Sequence, residues 1–201
     1  MTEIHDTAHR AISRRAALAL GLGVAAAAVV GVSPAAAATT LSYVYKRQNT
    51  QSWCSAASSR IALSAVIGRG ALPTQRRLAD RLGLVGGAGL QEPTLIARVL
   101  NSYLDAGTGH GYVFRIAPSG ELKQRLRMRV HESVDRGYPV VINMNSVAGD
   151  NYPAGHYIAI VGYRAGAYKI ADPDEPTRNG VWFTENQIVA WNKLNRFTAF
   201  A

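Results

Sequence analysis

The chain has 201 residues, with 22 Lys or Arg against 13 Asp or Glu, so its formal net charge is +9 at pH 7. A single cysteine, Cys54, excludes an internal disulfide. The length suits one domain with a sizeable core once an N-terminal export segment is set aside. The positive charge is interpreted first as an aid to solubility, with electrostatic association with an anionic cell wall as the alternative.

Residues 1–38 have the pattern of an export signal. A charged start ends in Arg14-Arg15, an apolar stretch rich in Ala, Gly and Val follows, and Ala36-x-Ala38 suits a signal peptidase. The paired arginines before a weakly apolar core indicate the twin-arginine pathway. The apolar run is shorter than the ~20 residues that span a bilayer, so no stable membrane anchor is expected. We predict a twin-arginine signal peptide over 1–38 and a secreted, extracellular domain over 39–201.

Apolar periodicity after the signal predicts helices first and strands later. Helical spacing of apolar residues occurs in four segments: 55–67, 73–82, 92–103 and 120–137. Short apolar or alternating runs predict strands at 40–47, 111–116, 139–144, 156–163, 168–171, 181–183 and 196–200. This order predicts an α+β fold in which N-terminal helices pack on a C-terminal antiparallel sheet.

The segment at 120–137 carries a basic stripe. Its members are Lys123, Arg125, Arg127 and Arg129. We interpret the stripe as a solvated helix face, with a polyanion-binding patch as the alternative. No nucleic-acid partner is expected.

Cys54 stands where the segment at 55–67 becomes helical. A thiol at a helix N-terminus meets the positive end of the macrodipole and free backbone N–H groups, both of which favour the thiolate. The thiolate is the nucleophilic form of cysteine. The alternative is that Cys54 is a small buried apolar residue.

Acyl transfer by a thiolate also needs hydrogen-bond donors for the oxyanion. Gln48 lies six residues before Cys54 and can turn its amide toward the space above the Cys54 backbone N–H. Gln51 is a nearer competitor, and either glutamine can instead be a surface residue.

The general base for a cysteine nucleophile is usually a histidine. Of the histidines after residue 38, His110 lies between glycines and His131 lies in the basic segment. His156 opens the apolar run "GHYIAIVGY" and is therefore placed at the mouth of a strand. This position favours His156 as the base.

A hairpin register brings a carboxylate to His156. A three-residue loop ending at Gly166 pairs Tyr163 with Ala167, which puts Asp172 of "YKIADP" on the His156 face, ~7–8 Å away as a diagonal neighbour. A two-residue loop would put the two residues on opposite faces. Asp174, the direct cross-strand partner in this register, stays a rival, and Asp150 is a more distant one.

Other residues near these motifs have weaker functional signals. Trp182 and Trp191 either cover the His–Asp pair from water or belong to the core. Residues 85–89 are glycine-rich but lack the lysine of a phosphate loop, and the thiol and histidines lack metal-ligand spacing. We expect no cofactor and no metal.

The ordered motifs "QNTQSWCSAAS", "GHYIAIVGY" and "YKIADP" resemble those of the papain-like cysteine peptidases, in particular the C39-like branch of bacterial secreted proteins. The resemblance spans Leu41 to the C-terminus. It implies a papain-like fold with Cys54 as nucleophile, His156 as base, Asp172 as the orienting acid and Gln48 as oxyanion donor. Many relatives have Gly after the cysteine, where this chain has Ser55. No pro-domain fits between residue 39 and Cys54, unlike in the classical papains.

The resemblance predicts an exported cysteine peptidase that hydrolyses peptide or isopeptide bonds in a peptide or protein substrate. A monomer is expected. The same residues can also support amidase, deamidase or transpeptidase chemistry. The main alternative is a non-catalytic papain-like module that binds cell-wall polymers or partner proteins, and a further one is a toxin or effector.

Overall fold

The computed structural model of the protein describes residues 37–84, 87–104 and 109–201. The twin-arginine motif and almost all of the predicted signal peptide therefore lie outside the described residues. None of the helices in these three segments is long and apolar enough to cross a membrane.

The described residues form an α+β fold with an antiparallel sheet, which confirms the predicted fold class. The helices are α1 Cys54–Val66, α2 Gln75–Arg81, α3 Thr94–Asn101, α4 Leu122–Asp135 and α5 Glu185–Trp191. The strands are β1 Thr39–Thr40, β2 Tyr112–Ile116, β3 Val140–Val147, β4 Asp150–Arg164, β5 Ala167–Ala171, β6 Asn179–Thr184 and β7 Asn192–Phe200.

The strand order of the sheet is β2-β7-β3-β4-β5-β6, and β1 pairs with β4 beyond the start of β3. Gly162 is needed where β1 crosses, since a Cβ there would lie 2.6 Å from the backbone oxygen of Thr39.

Helices cover both faces of the sheet. Leu63 of α1, Leu78 of α2 and Ile96 of α3 share one apolar cluster with Tyr157 of β4. Val130 of α4 and Ile188 of α5 share a second cluster with Ile158 and Ile160 of β4. The centre of β4 is buried on both sides, which explains why its sequence is continuously apolar rather than alternating.

One predicted strand is shorter than expected, and one helix was not predicted. The predicted strand at 40–47 is a strand only as far as Thr40. The rest of that segment bonds outside the sheet ladder, for example from the Val44 N–H to Ser64 Oγ at 2.8 Å. Helix α5 was missed, although Thr184 and Gln187 form a capping box that its sequence contains.

The basic stripe of α4 is largely neutralised. Arg125 pairs with Glu121, Arg127 with Glu185 and Arg129 with Glu132. These contacts agree with a solvated, ion-paired helix face.

Candidate active site

Cys54 is the first residue of α1, and its side chain is buried. The small residues that follow it let α1 pack closely on β4: Ala56, Ala57, Ser58 and Ser59 are fully buried. Ser58 Oγ donates to the Tyr157 carbonyl at 2.7 Å and so ties α1 to the strand that carries His156. The run of small residues after the thiol therefore positions the thiol.

His156 contacts both Cys54 and Asp172. Its Nε2 lies 2.7 Å from Asp172 Oδ1, and the Cys54 thiol is close enough to raise the pKa of the imidazole. His156 is 2 % exposed and Asp172 is 0 % exposed. The structure thus brings these three predicted residues together in one buried chain of contacts.

The hairpin reaches this arrangement by a route that differs from the predicted one. Arg164 pairs with Ala167, so the loop has two residues rather than three, and the predicted loop is wrong. A β-bulge between Ile160 and Gly162 adds one residue to β4. On the side of the bulge away from the loop, Ile160 pairs with Ile170, as in the predicted register. The bulge at Val161 compensates for the shorter loop and returns His156 to the face of Asp172.

Arg178 holds the other oxygen of Asp172. Its Nη1 donates to Asp172 Oδ2 at 2.9 Å and to the Val147 carbonyl at 3.2 Å, and its Nη2 pairs with the Asp150 carboxylate. The Asp174 N–H donates to Asp172 Oδ1 at 3.0 Å. Sequence analysis missed Arg178, and Asp150, considered there as a distant rival orienting acid, binds this arginine instead.

The ring packed on His156 belongs to Tyr152, which was also missed. The two rings stack with centroids 4.2 Å apart, and the Tyr152 hydroxyl donates to Asp174 Oδ2 at 3.2 Å. Of the two interpretations of the tryptophans, packing away from the His–Asp pair fits the contacts, since Trp182 lies under Arg164 and Trp191 contacts Phe183.

The other candidate histidines lie elsewhere. His110 is 6.4 Å from the Phe200 ring between centroids, and His131 stacks on Tyr163 at 3.8 Å.

Opposing effects set the charge states of the His–Asp pair. Burial alone would lower the pKa of His156, but the hydrogen bond to Asp172, the neighbouring Cys54 thiol and the charges of both residues raise it to about 9. Burial alone would raise the pKa of Asp172, but the hydrogen bond and charge of His156, with the Asp174 N–H and Arg178, lower it. At neutral pH the pair is therefore an imidazolium beside a carboxylate.

Gln48 is half-buried in the segment before α1. Its backbone N–H donates to the Pro173 carbonyl at 2.8 Å, and its Nε2 donates to the Gln51 carbonyl at 3.1 Å. Its Oε1 is buried and has no hydrogen-bond partner among the described residues. The buried side chain of Gln75 fixes this segment, since it accepts from the Asn49 N–H at 2.8 Å and donates to the Arg47 carbonyl at 2.8 Å.

A cleft of about 580 Å³ opens on Cys54. Its lining comprises residues 50–52, Cys54, Gly87, Gly89 and residues 151–155. The competitor Gln51 lines this cleft, whereas Gln48 lines an adjoining pocket that shares Thr50 and Gln51 with it. Within the described residues, no group of three His, Cys, Asp or Glu side chains could hold a metal ion.

Comparisons with known proteins give a family and a fold. The sequence profile of the Peptidase_C39 like family matches residues 40–198. A C39-like peptidase from Bacillus anthracis is similar in structure, with a TM-score of 0.55, 14% identity, and coverage of 81% of this chain and 96% of that one. No curated protein matches the sequence at a significant level.

Two further solved structures share the fold. The peptidase domain of Streptococcus ComA, a bifunctional ABC transporter of a quorum-sensing pathway, has a TM-score of 0.51 and 16% identity, and 81% and 98% of the two chains are covered. A double-glycine-motif protease from an AMS/PCAT transporter, solved with its leader peptide, has a TM-score of 0.54 and 12% identity, with 80% and 92% covered.

Proposed function

Because the chain belongs to the Peptidase_C39 like family of cysteine-type peptidases, we propose that it hydrolyses peptide or isopeptide bonds with a Cys54-His156-Asp172 triad. The observation that carries this proposal is the position of His156, whose Nε2 is bonded to Asp172 and whose pKa is raised by the neighbouring Cys54 thiol. A nucleophile beside a base, with the base oriented by a third group, is the arrangement that covalent acyl transfer requires.

The first half of the reaction forms the acyl-enzyme. The Cys54 thiolate attacks the carbonyl carbon, and the carbonyl electron pair moves onto the oxygen. We assign the stabilisation of this oxyanion to the Cys54 backbone N–H and the Gln48 amide. The C–N bond then breaks while His156, protonated at neutral pH, gives its proton to the leaving amine.

The second half releases the acyl group. Neutral His156 takes a proton from water, and the resulting hydroxide attacks the thioester carbon. The thiolate leaves, and the imidazolium is restored. Asp172 keeps the imidazole in one orientation through both halves, and Arg178 keeps Asp172 in place as a positioning residue.

A peptide substrate fits the cleft that opens on Cys54. Its volume of about 580 Å³ lies in the range of ordinary ligand sites. The double-glycine-motif protease of similar fold was solved with a leader peptide, which supports a peptide chain as the ligand class. The cleft lining at residues 50–52 and 151–155 determines which bond is cut and which substrate side chains are accepted.

Alkylation of Cys54 tests whether the thiol is activated. Because the chain has one cysteine, a single carboxamidomethyl adduct in a mass spectrum reports on Cys54 alone. We expect stoichiometric reaction with iodoacetamide near neutral pH, and loss of this reaction in His156→Ala, because the thiolate loses its imidazolium partner.

His131→Ala is the matched control, since His131 stacks on Tyr163 and should leave the alkylation rate unchanged. An equal rate in wild type and His156→Ala would contradict the triad and favour a module without catalysis.

We also propose export through the twin-arginine pathway, on the strength of Arg14-Arg15 and the weakly apolar stretch that follows. Replacing both arginines by lysine should leave the precursor in the cytoplasm, because the pathway recognises the arginine pair rather than its charge. Cell fractionation with immunoblotting measures the exported fraction, and Arg10→Lys is the control. Undiminished export of the double variant would argue for the Sec route.

A further inference from the structure

The edge strand β2 has backbone groups that face away from the sheet. Gly111 and Ala201 form two backbone hydrogen bonds with each other. In the antiparallel register the backbone groups of Val113 and Arg115 therefore also bond to β7, and the backbone N–H and C=O groups of the residues between them point away from the sheet. The outward groups are therefore those of Tyr112, Phe114 and Ile116.

The first of these positions is already capped. The Tyr112 N–H donates to Asn101 Oδ1 at 2.6 Å, and Asn101 Nδ2 donates to the Tyr112 carbonyl at 2.9 Å. The Asn101 amide thus occupies the place of a neighbouring strand. No residue in the described part of the chain does the same for Phe114 or Ile116. Unpaired groups of this kind accept an added strand.

A pocket of about 290 Å³ adjoins this open edge, between β2 and α4. Its apolar surface includes Met128 and Phe197, and Ile116 at its rim is 59% exposed. Its cationic surface consists of Arg115, Arg125 and Arg129.

The three arginines of the pocket differ in their partners. Arg125 pairs with Glu121 at 2.9 Å and Arg129 with Glu132 at 2.8 Å. Arg115 has no ion pair within the described ranges, and its Nε is buried without an acceptor. Burial and the charge of Arg129 lower the pKa of Arg115, and the charge of Glu132 opposes them only in part. A carboxylate at this position would supply the missing acceptor and counter-charge.

We propose that the β2 edge binds an extended acidic peptide segment as an additional strand. The segment's backbone bonds to Phe114 and Ile116, and one of its carboxylates binds Arg115. A side chain two positions away on the same face of the added strand contacts Met128, which is 39% exposed, because alternate residues of a strand face the same side. This site is separate from the cleft at Cys54 and does not depend on the proposed catalysis.

A matched pair of peptides tests the carboxylate. The probe is an N-acetylated, C-amidated peptide, Thr-Val-Thr-Glu-Thr-Val-Thr, and its twin has Gln in place of Glu. Binding is measured by amide NMR shifts in the full chain carrying Cys54→Ala, so that neither peptide is cut. We expect saturable shifts at Phe114 and Ile116 and about 10-fold tighter binding of the Glu peptide, the order of a charge-assisted hydrogen bond.

Substitutions in the pocket test which arginine binds the carboxylate of the peptide. Arg115→Gln should abolish the preference for the Glu peptide, whereas Arg125→Gln, in the same pocket but paired with Glu121, should retain it. Arg115→Lys keeps the charge and should retain part of the preference, and unchanged thermal melting shows that each variant is folded. Equal affinities for the two peptides in the wild-type pocket, or equal losses in the Arg115→Gln and Arg125→Gln variants, would overturn the assignment.

A third probe tests the added strand. A Glu peptide methylated on alternate backbone nitrogens cannot complete the ladder and should bind at least 10-fold more weakly. If it binds as well as its parent, and benzoate displaces both, the pocket takes free carboxylates and the strand proposal is wrong.

Discussion

Asp172→Asn is expected to lower kcat by about 10³- to 10⁴-fold while the fold stays intact. The asparagine fills the same space but offers His156 no negative charge, and its amide can present an N–H to Nε2 and so turn the imidazole to the wrong tautomer. In a well-studied serine protease the corresponding change costs about 10⁴-fold in kcat. Steady-state kinetics on a peptide substrate, with circular dichroism for the fold, measure the effect.

The pH profile of the same variant separates an orienting role from a structural one. The hydrogen bond and charge of Asp172 help to raise the pKa of His156 to about 9, so wild-type kcat/KM should fall as pH rises through that value and the acid for the leaving amine is lost. Without the carboxylate the His156 pKa falls, and this alkaline limb should move to lower pH.

Asp174→Asn is the matched control for Asp172→Asn. Asp174 contacts Tyr152 with its carboxylate and Asp172 only with its backbone N–H, so its substitution should leave most of kcat. If Asp174→Asn abolishes turnover and Asp172→Asn does not, the assignment of the orienting acid is wrong.

The sequence predicted that the side chains of His156 and Asp172 lie side by side, but it did not predict the backbone path that places them there. His156 and Asp172 share a face because of a two-residue loop combined with a bulge at Val161, and a single three-residue loop would have the same net result. The bulge ends at Gly162, where β1 crosses so closely that a Cβ would clash with Thr39. The offset therefore coincides with a contact between strands more than 100 residues apart in sequence, and local turn patterns do not contain it.

Arg178 and Tyr152 could not be predicted for a related reason. A lone arginine after Pro176 and a tyrosine before Pro153 have no periodicity or spacing that distinguishes them from surface residues. Only the folded sheet brings Arg178 under Asp172 and the Tyr152 ring over His156. The Thr184–Gln187 capping box of α5, by contrast, is a local signal that was available in the sequence.

Gln48→Ala is expected to slow turnover by about 100-fold or more with little change in KM. An oxyanion donor acts mainly in the transition state, so its loss lowers kcat rather than substrate affinity. Loss of one such donor costs about 3–4 kcal/mol in a well-studied serine protease, which corresponds to a factor of this size. The Cys54 thiol should still alkylate, since Cys54 and His156 are both retained.

Gln51→Ala distinguishes the two glutamines and also tests a purely structural role for Gln48. Gln48 donates to the Gln51 backbone carbonyl, which Gln51→Ala retains, so that variant removes only a side chain at the rim of the cleft and should affect kcat less. If Gln48 merely braced the segment, its loss would remove about 1 kcal/mol of stability and would shift KM and alkylation together with kcat. Small, equal losses from both variants would leave the oxyanion to backbone N–H groups, and a large loss only from Gln51→Ala would transfer the donor role to Gln51.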